Sequence, residues 1–393
     1  MTDAALILMP GTVREQPPLS LYIHFPWCVR KCPYCDFNSH EVRDAIDDTA
    51  YVSALLTDLE LALPQIWGRL VHTIFIGGGT PSLLSVAAVD QLLSGIRARV
   101  RLDPAVEVTL EVNPGTVETE KFLGFYQAGV NRLSLGVQSF DRKKLSVLGR
   151  IHDDIQARRA VEVAQSYFDN VNVDLMYALP AQTLHEALND IEIALSYGVA
   201  HLSAYHLTIE PNTLFYRYTP ANLPNEEIAA DMQDAIEERM AQAGFVRYET
   251  SAFARSSFRC RHNLNYWQFG DYLGIGAGAH SKISSFRGIV REMRFKQPNA
   301  YLNAVAQRKP IQSQGQISRC ELPFEFMMNA LRLAEGFDLG LFVERTGLPV
   351  SVVDETLQLA IERGLIVQEG TIIRPSLRGH HFLNDLLTLF LKK

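Results

Sequence analysis

The chain has 393 residues, of which 47% are apolar and 21% charged, with 37 Lys and Arg against 44 Asp and Glu for a net charge of −7. This is the balance of an ordinary globular protein; it supplies no electrostatic reason to bind nucleic acid, and no apolar run reaches the length of a membrane span. Five cysteines, with Cys260 and Cys320 far from the other three, argue against a disulfide scaffold and for a reduced, cytoplasmic setting.

The first apolar run, residues 4–9, is closed by Pro10-Gly11 and has no basic residue before it. It is too short for a secretory segment, so residues 1–19 read as a flexible or edge extension. From residue 20 to 210, short apolar runs at 21–25, 73–76, 106–112, 132–137, 171–176 and 202–207 alternate with amphipathic stretches at 49–63, 86–100, 119–127, 153–167 and 184–197. Six β-then-α units in order predict parallel strands with right-handed crossovers, an α/β fold that collects its ligands at the C-terminal strand ends.

Immediately after the first of these strands lie Cys28, Cys32 and Cys35, spaced C-x3-C-x2-C. A structural zinc or a fully protein-ligated iron–sulfur cluster wants four ligands. Three thiolates on a 4Fe–4S cluster leave one iron open for a small molecule. S-adenosylmethionine can chelate that iron through its amino and carboxylate groups, and one electron then breaks its sulfonium C–S bond to give a 5′-deoxyadenosyl radical. A redox CxxC pair is the competing reading of the triplet. Tyr34, between the last two cysteines, can lie against an adenine.

The second strand runs into Gly77-Gly78-Gly79-Thr80 and then Pro81-Ser82. Either this is a plain tight strand-to-helix turn, or it lets backbone approach a methionine moiety and bond its ammonium group. Glu111, ending the third strand, is placed either to accept ribose hydroxyls or to form a salt bridge or helix cap. Gln138, Arg150 and Asp174 are polar residues at or after the next two strands.

Residues 211–310 are richer in loops and read as a linking region, with a helix at 226–243, the aromatic run His262-Asn263-Leu264-Asn265-Tyr266-Trp267 and a glycine run from Gly270 to Gly278 closing on His280. Residues 311–393 predict helices at 324–333, 339–346 and 350–363, then a hairpin at 365–374, the pattern of a small winged-helix-like domain. Its basic residues are too scattered for a groove-reading face, so a DNA-binding regulator is disfavoured and the tail reads as a lid or interaction module.

With these motifs in place, the chain resembles the radical S-adenosylmethionine superfamily, and within it the oxygen-independent coproporphyrinogen III oxidase-like group. The resemblance spans residues 20 to 390 and is carried by residues 21–28, 75–82, 135–140 and 262–267. It implies an incomplete (β/α)6 barrel with a C-terminal helical domain. It implies a 4Fe–4S cluster on Cys28, Cys32 and Cys35, and S-adenosylmethionine contacts from Tyr22, Tyr34, Gly78, Gly79, Thr80, Glu111, Gln138, Arg150 and Asp174. Two departures are informative. The oxidases carry a further cysteine two residues after the third, where this chain has Phe37, and they have a longer arm before the first strand. Both departures are similar to HemW-type haem chaperones, a sister group that binds haem and delivers it to haem proteins. That likeness implies haem as a ligand, haem-accepting proteins as partners, a flavodoxin or ferredoxin as reductant, and a homodimer. Residues 262–267 look like the HNxxYW motif of that group, which makes His262 the expected haem contact, since a neutral imidazole is a good axial ligand. A buried, hydrogen-bonded His262 that positions its loop is the equal alternative, Cys260 is another soft ligand, and His280 reads as a turn residue. Haem trafficking and oxidative decarboxylation of coproporphyrinogen III are thus the two functions to separate, and the absent fourth cysteine favours the first.

Overall fold

The structure, a computed structural model, describes residues 15–116 and 119–391. Most of the expected extension at 1–19 lies outside them; its last residue, Leu19, already belongs to the first strand. The six expected parallel strands are present: β1 (Leu19–Phe25), β2 (Leu70–Gly78), β3 (Arg101–Val112), β4 (Arg132–Gln138), β5 (Val171–Tyr177) and β6 (His201–His206). Each pairs in parallel with the next. Five crossover helices, α1 (Asp48–Ile66), α2 (Val86–Arg97), α3 (Thr119–Ala128), α4 (Asp154–Tyr167) and α5 (Leu184–Ser196), follow the predicted amphipathic stretches. Their starts are fixed locally. Asp153 and Thr183 each accept from the third residue of the following helix while Gln156 and Glu186 reach back, a reciprocal cap that satisfies two orphan amides.

The barrel does not close, because β6 and β1 never meet. Both edges are instead extended by residues 211–316. Ala252–Ala254 pairs antiparallel with β6, and Asp271–Ile275 pairs in parallel with β1. Three antiparallel strands, His280–Ser285, Gly288–Arg294 and Ile311–Gln316, continue beyond it, and Val246–Arg247 pairs outside Ala252–Ala254, giving one open, mixed sheet of twelve strands. The segment expected to be a loop-rich link is therefore part of the sheet. Its glycines hid this. A Cβ at Gly274 would sit 2.0 Å from the His280 carbonyl oxygen, so the strand needs glycine for close backbone approach, and Gly276 and Gly278 turn the chain at φ +101° and +81°.

Apolar residues on the outer sheet face, among them Ile23, Ile74, Leu110, Leu133, Val173 and Leu202, pack under the helices at 0% exposure. A second core holds the C-terminal part, where helices Leu322–Ala330, Leu339–Thr346 and Asp354–Glu362 pack on the expected hairpin, Ile366–Glu369 with Ile372–Pro375. Phe337–Asp338 adds a third strand to it. No helix among the described residues is long and apolar enough to cross a membrane.

The added strands are anchored by a buried charge pair. Asp58 on α1, 0% exposed, accepts from the Arg294 guanidinium at 3.2 Å and from the Tyr301 hydroxyl at 2.9 Å. Removing one member of such a pair strands the other charge in low dielectric. Asp58→Ala is expected to lower unfolding free energy by about 3–5 kcal/mol in urea titration. Loss of the exposed Arg239–Glu192 pair is expected to cost no more than about 1 kcal/mol in the same assay.

Candidate functional site

The strands of a fully covered parallel sheet are apolar on both faces, but β1 to β6 carry polar residues at every second position. These point into the open barrel. Register places Ser20 beside Thr73, Thr73 beside Glu107, Thr109 beside Arg132, and Asn172 beside His201 in a lower layer. One step up lie Tyr22 beside Phe75, Glu111 beside Ser134, and Asp174 beside Ser203.

The lower layer is plugged by the short helix Arg261–Trp267. Its first amides, from Arg261 and His262, both donate at 3.1 Å to the Glu107 carboxylate, and the Cys260 thiol donates to the same group at 3.6 Å. Asn265 donates to Ser20 at 2.8 Å. Thr73 gives its hydroxyl proton to Ser20, so His262 donates to Thr73 from Nδ1 at 2.7 Å. His262 is 1% exposed and stacked on Phe75 at 4.9 Å, and burial together with nearby Arg132 lowers its pKa to about 3. Its Nε2 is buried with no partner among the described residues, and His262 lines neither of the two cavities described below. In the structure His262 is a buried, hydrogen-bonded histidine whose ring ties its helix to Thr73. Cys260 is 0% exposed with its thiol pushed up to about 12 by burial, which removes it as an accessible ligand. From this run, Tyr266 and Asn263 are the residues that reach cavity walls.

The upper layer opens on a cavity of 450 Å³ at the C-terminal strand ends, and Cys28, Cys32 and Cys35 all line it. The loop that carries them is held at its base. Trp27–Cys28 pairs in parallel with His40–Glu41, and Gly79 and Thr80 donate to Phe25 and Trp27 at 2.7 and 2.8 Å. A Cβ at Gly79 would lie 2.5 Å from the Trp27 carbonyl oxygen, so only glycine lets the two loops meet. Burial raises the Cys28 and Cys35 thiols; at Cys28 a bond from the Thr80 hydroxyl opposes it. Arg150 donates to the Cys32 sulfur at 3.6 Å and to the Gly136 carbonyl at 2.6 Å.

Tyr34, Gly78, Gly79, Thr80, Glu111, Gln138, Arg150 and Asp174 line the same cavity. Tyr22 instead lines a neighbouring one, its hydroxyl 3.0 Å from His24 Nδ1. Gln138 stands at φ +69°, a strained position for a non-glycine residue that turns its side chain inward beside Gly136. Glu111 accepts from the Gly78 amide at 3.0 Å; burial first, then repulsion from Asp174, raises its pKa to about 8. Asp174 is itself raised by burial, against bonds from Asn172 and Ser134 at 2.8 and 2.9 Å. Ser134, Asn172, Ser203 and Arg132 belong to the cavity and went unnoticed in the sequence. The signal was present as strict alternation within nominally buried parallel strands.

Comparison with known proteins places this geometry. Residues 22–194 match the Radical SAM superfamily, and residues 317–382 match the HemN C-terminal domain. The haem chaperone HemW of Escherichia coli is 46% identical over 377 residues, covering 95% of this chain and 98% of that protein. The haem chaperone HemW of Haemophilus influenzae is 45% identical over 381 residues, with the same coverage of both. This chain belongs to the HemW family of radical SAM proteins. Coproporphyrinogen III oxidase (HemN) from Escherichia coli has the same fold, with a TM-score of 0.81 at 22% identity over 95% of this chain and 90% of that one.

Membership of the superfamily implies a 4Fe–4S cluster and S-adenosylmethionine, and the residues of this HemW-family chain fit both. The three thiols share one cavity, yet among the described residues no three His, Cys, Asp or Glu side chains converge tightly enough to hold a single ion. Two carboxylates facing one cavity, with Glu111 held neutral by burial and then by its neighbour, form a site that a cationic ligand would relieve.

Glu111 gives a pH signature in the cofactor-free protein. Its carboxyl ionises above 4.5 when unfolded but only near 8 when folded. Stability from this group is therefore full below the unfolded value and is lost as pH rises toward 8. Glu111→Gln is expected to gain on the wild type in urea midpoint between pH 5 and 8 and to level off above; a difference that stays flat with pH contradicts the assignment.

Proposed function

We propose that this protein is a haem chaperone, which binds haem and, with a 4Fe–4S cluster and S-adenosylmethionine, passes it to acceptor haem proteins. The observation that carries this reading is the 46% identity to a haem chaperone over 98% of its length. Phe37, exposed at the rim where the oxidases place a further cysteine, supports it.

In this reading the half-buried Cys28, Cys32 and Cys35 hold the cluster as thiolates. When bound, the cluster supplies an iron open to S-adenosylmethionine and an electron drawn from a flavodoxin- or ferredoxin-like reductant. Arg150 stabilises negative charge on the Cys32 sulfur, and the Thr80 hydroxyl does the same for Cys28. Gly78 and Gly79 offer backbone to the methionine end of S-adenosylmethionine, Glu111 takes its ribose hydroxyls, and Tyr34 covers its adenine. Gln138 and Asp174 complete the floor. Tyr22 acts from the neighbouring cavity, behind Gly78 and Glu111, which line both. Thiolates that hold a cluster need a reducing compartment, and in this reading that compartment is the cytoplasm.

Cys32→Ser is expected to abolish the cluster's visible absorbance and its iron and sulfide content after anaerobic reconstitution, while Cys260→Ser and Cys320→Ser retain them. With haem loaded, the wild-type protein is expected to transfer it to an apo-haem acceptor, read as gain of the acceptor's haem-dependent activity. Given coproporphyrinogen III, S-adenosylmethionine and a reductant, it is expected to form no protoporphyrinogen; efficient turnover there would identify an oxidase instead.

A further inference from the structure

A second cavity of 810 Å³ opens beside the cofactor cavity, bounded on one side by the loop that follows Cys35 and on the other by the strands added to β1. Its size is within the usual span of about 300–1,000 Å³ for small-molecule pockets. Three imidazoles line it, and they differ in what they are free to do. His24 is spent, with Nδ1 on the Tyr22 hydroxyl at 3.0 Å and Nε2 on the Asn38 carbonyl at 2.8 Å. His40 has its Nε2 sealed from solvent. His280, the first residue of its strand, is exposed to the cavity, and neither ring nitrogen has a hydrogen-bond partner among the described residues.

We propose that this cavity is the haem seat, with the His280 imidazole as axial ligand to the iron and the Lys296 ammonium facing a propionate at the rim. The proposal rests on the haem-chaperone reading and deepens it. Burial, with Lys296 and Arg291 nearby, lowers the His280 pKa, so the ring is neutral and its lone pair is available at pH 7. Lys296 is exposed, and its side chain lines the same cavity. Aromatic surface is supplied by Tyr266 and Tyr272, packed edge to face with centroids 4.5 Å apart and planes at 62°, and by Phe37 at 61% exposure. Tyr266 is the contribution of the aromatic run to this seat, reached because His262 anchors the helix beneath it. Phe37 stands two residues past Cys35, so haem in this position would touch the loop that carries the cluster ligands.

Titration of the full-length, cluster-reconstituted protein with ferric protoporphyrin IX, followed by Soret absorbance and electron paramagnetic resonance, tests this. His280→Ala is expected to raise Kd about tenfold or more and to move the Soret band toward that of free ferric protoporphyrin IX. His280→Met is expected to retain binding with a shifted band and an altered resonance, and Lys296→Ala to weaken binding about two- to fivefold with the band unmoved. His40→Gln is expected to change neither. If the wild type binds and His280→Ala and His280→Met match it in Kd and spectrum, or if the loss falls on His40→Gln instead, the seat is wrong while the chaperone reading stands. If the wild type itself does not bind ferric protoporphyrin IX, the chaperone reading fails and the seat with it.

Discussion

The carboxylate of Glu107 lies at the floor of the barrel, 6% exposed, where an unpaired charge would cost several kcal/mol. It is met there by the amide end of the helix Arg261–Trp267, which brings backbone donors and the positive end of a helix to it. The other contacts of that helix follow from this docking. Asn265 and His262 tie β1 to β2 through Ser20 and Thr73. On the far side, Trp267 stacks under Arg332 at 5.1 Å and Phe269 meets Phe326 at 5.7 Å, which fastens the C-terminal core to the barrel. An unclosed barrel with a polar interior needs such a plug, because water would otherwise enter from below and screen the charges on which the upper cavity depends.

Above the plug the lumen holds charge of both signs under tension. Glu111 and Asp174 repel each other, while Arg132 and Arg150 sit among the sulfur and carboxylate groups. A cavity that keeps a carboxyl neutral at pH 7, first by burial and then by a second carboxylate nearby, stores a preference for cations, and a sulfonium nucleotide with a free ammonium group answers to it. The glycine loop serves the same end, since only bare backbone lets the cysteine loop and the Gly77–Gly79 turn lie against each other.

Fold does not separate the chemistries open to this architecture. The same barrel is shared with coproporphyrinogen III oxidase at 22% identity, whereas identity to haem chaperones is 46%. At the cluster loop this chain has Phe37, an exposed apolar ring, where the oxidases carry a further cysteine. A protein that must receive and release a flat apolar cargo gains more from that ring than from another thiolate.

The order of βα units, the three-cysteine loop, the glycine turn and Glu111 were legible in the sequence because each is a local signal: period, spacing and residue type within a few positions. The C-terminal hairpin was legible for the same reason. The strands at 271–285 were not, since Gly274, Gly276 and Gly278 are there for the approach of a distant backbone, and that approach exists only in the folded sheet. Nor could the sequence decide among His24, His40, His262 and His280. As residues they are alike, and which imidazole is spent on a hydrogen bond, sealed beneath a helix or left facing open space is set by neighbours up to 189 positions away. Local patterning therefore determined the elements and their cofactor-type residues, while the pairing of remote segments decided which side chains are available to a ligand.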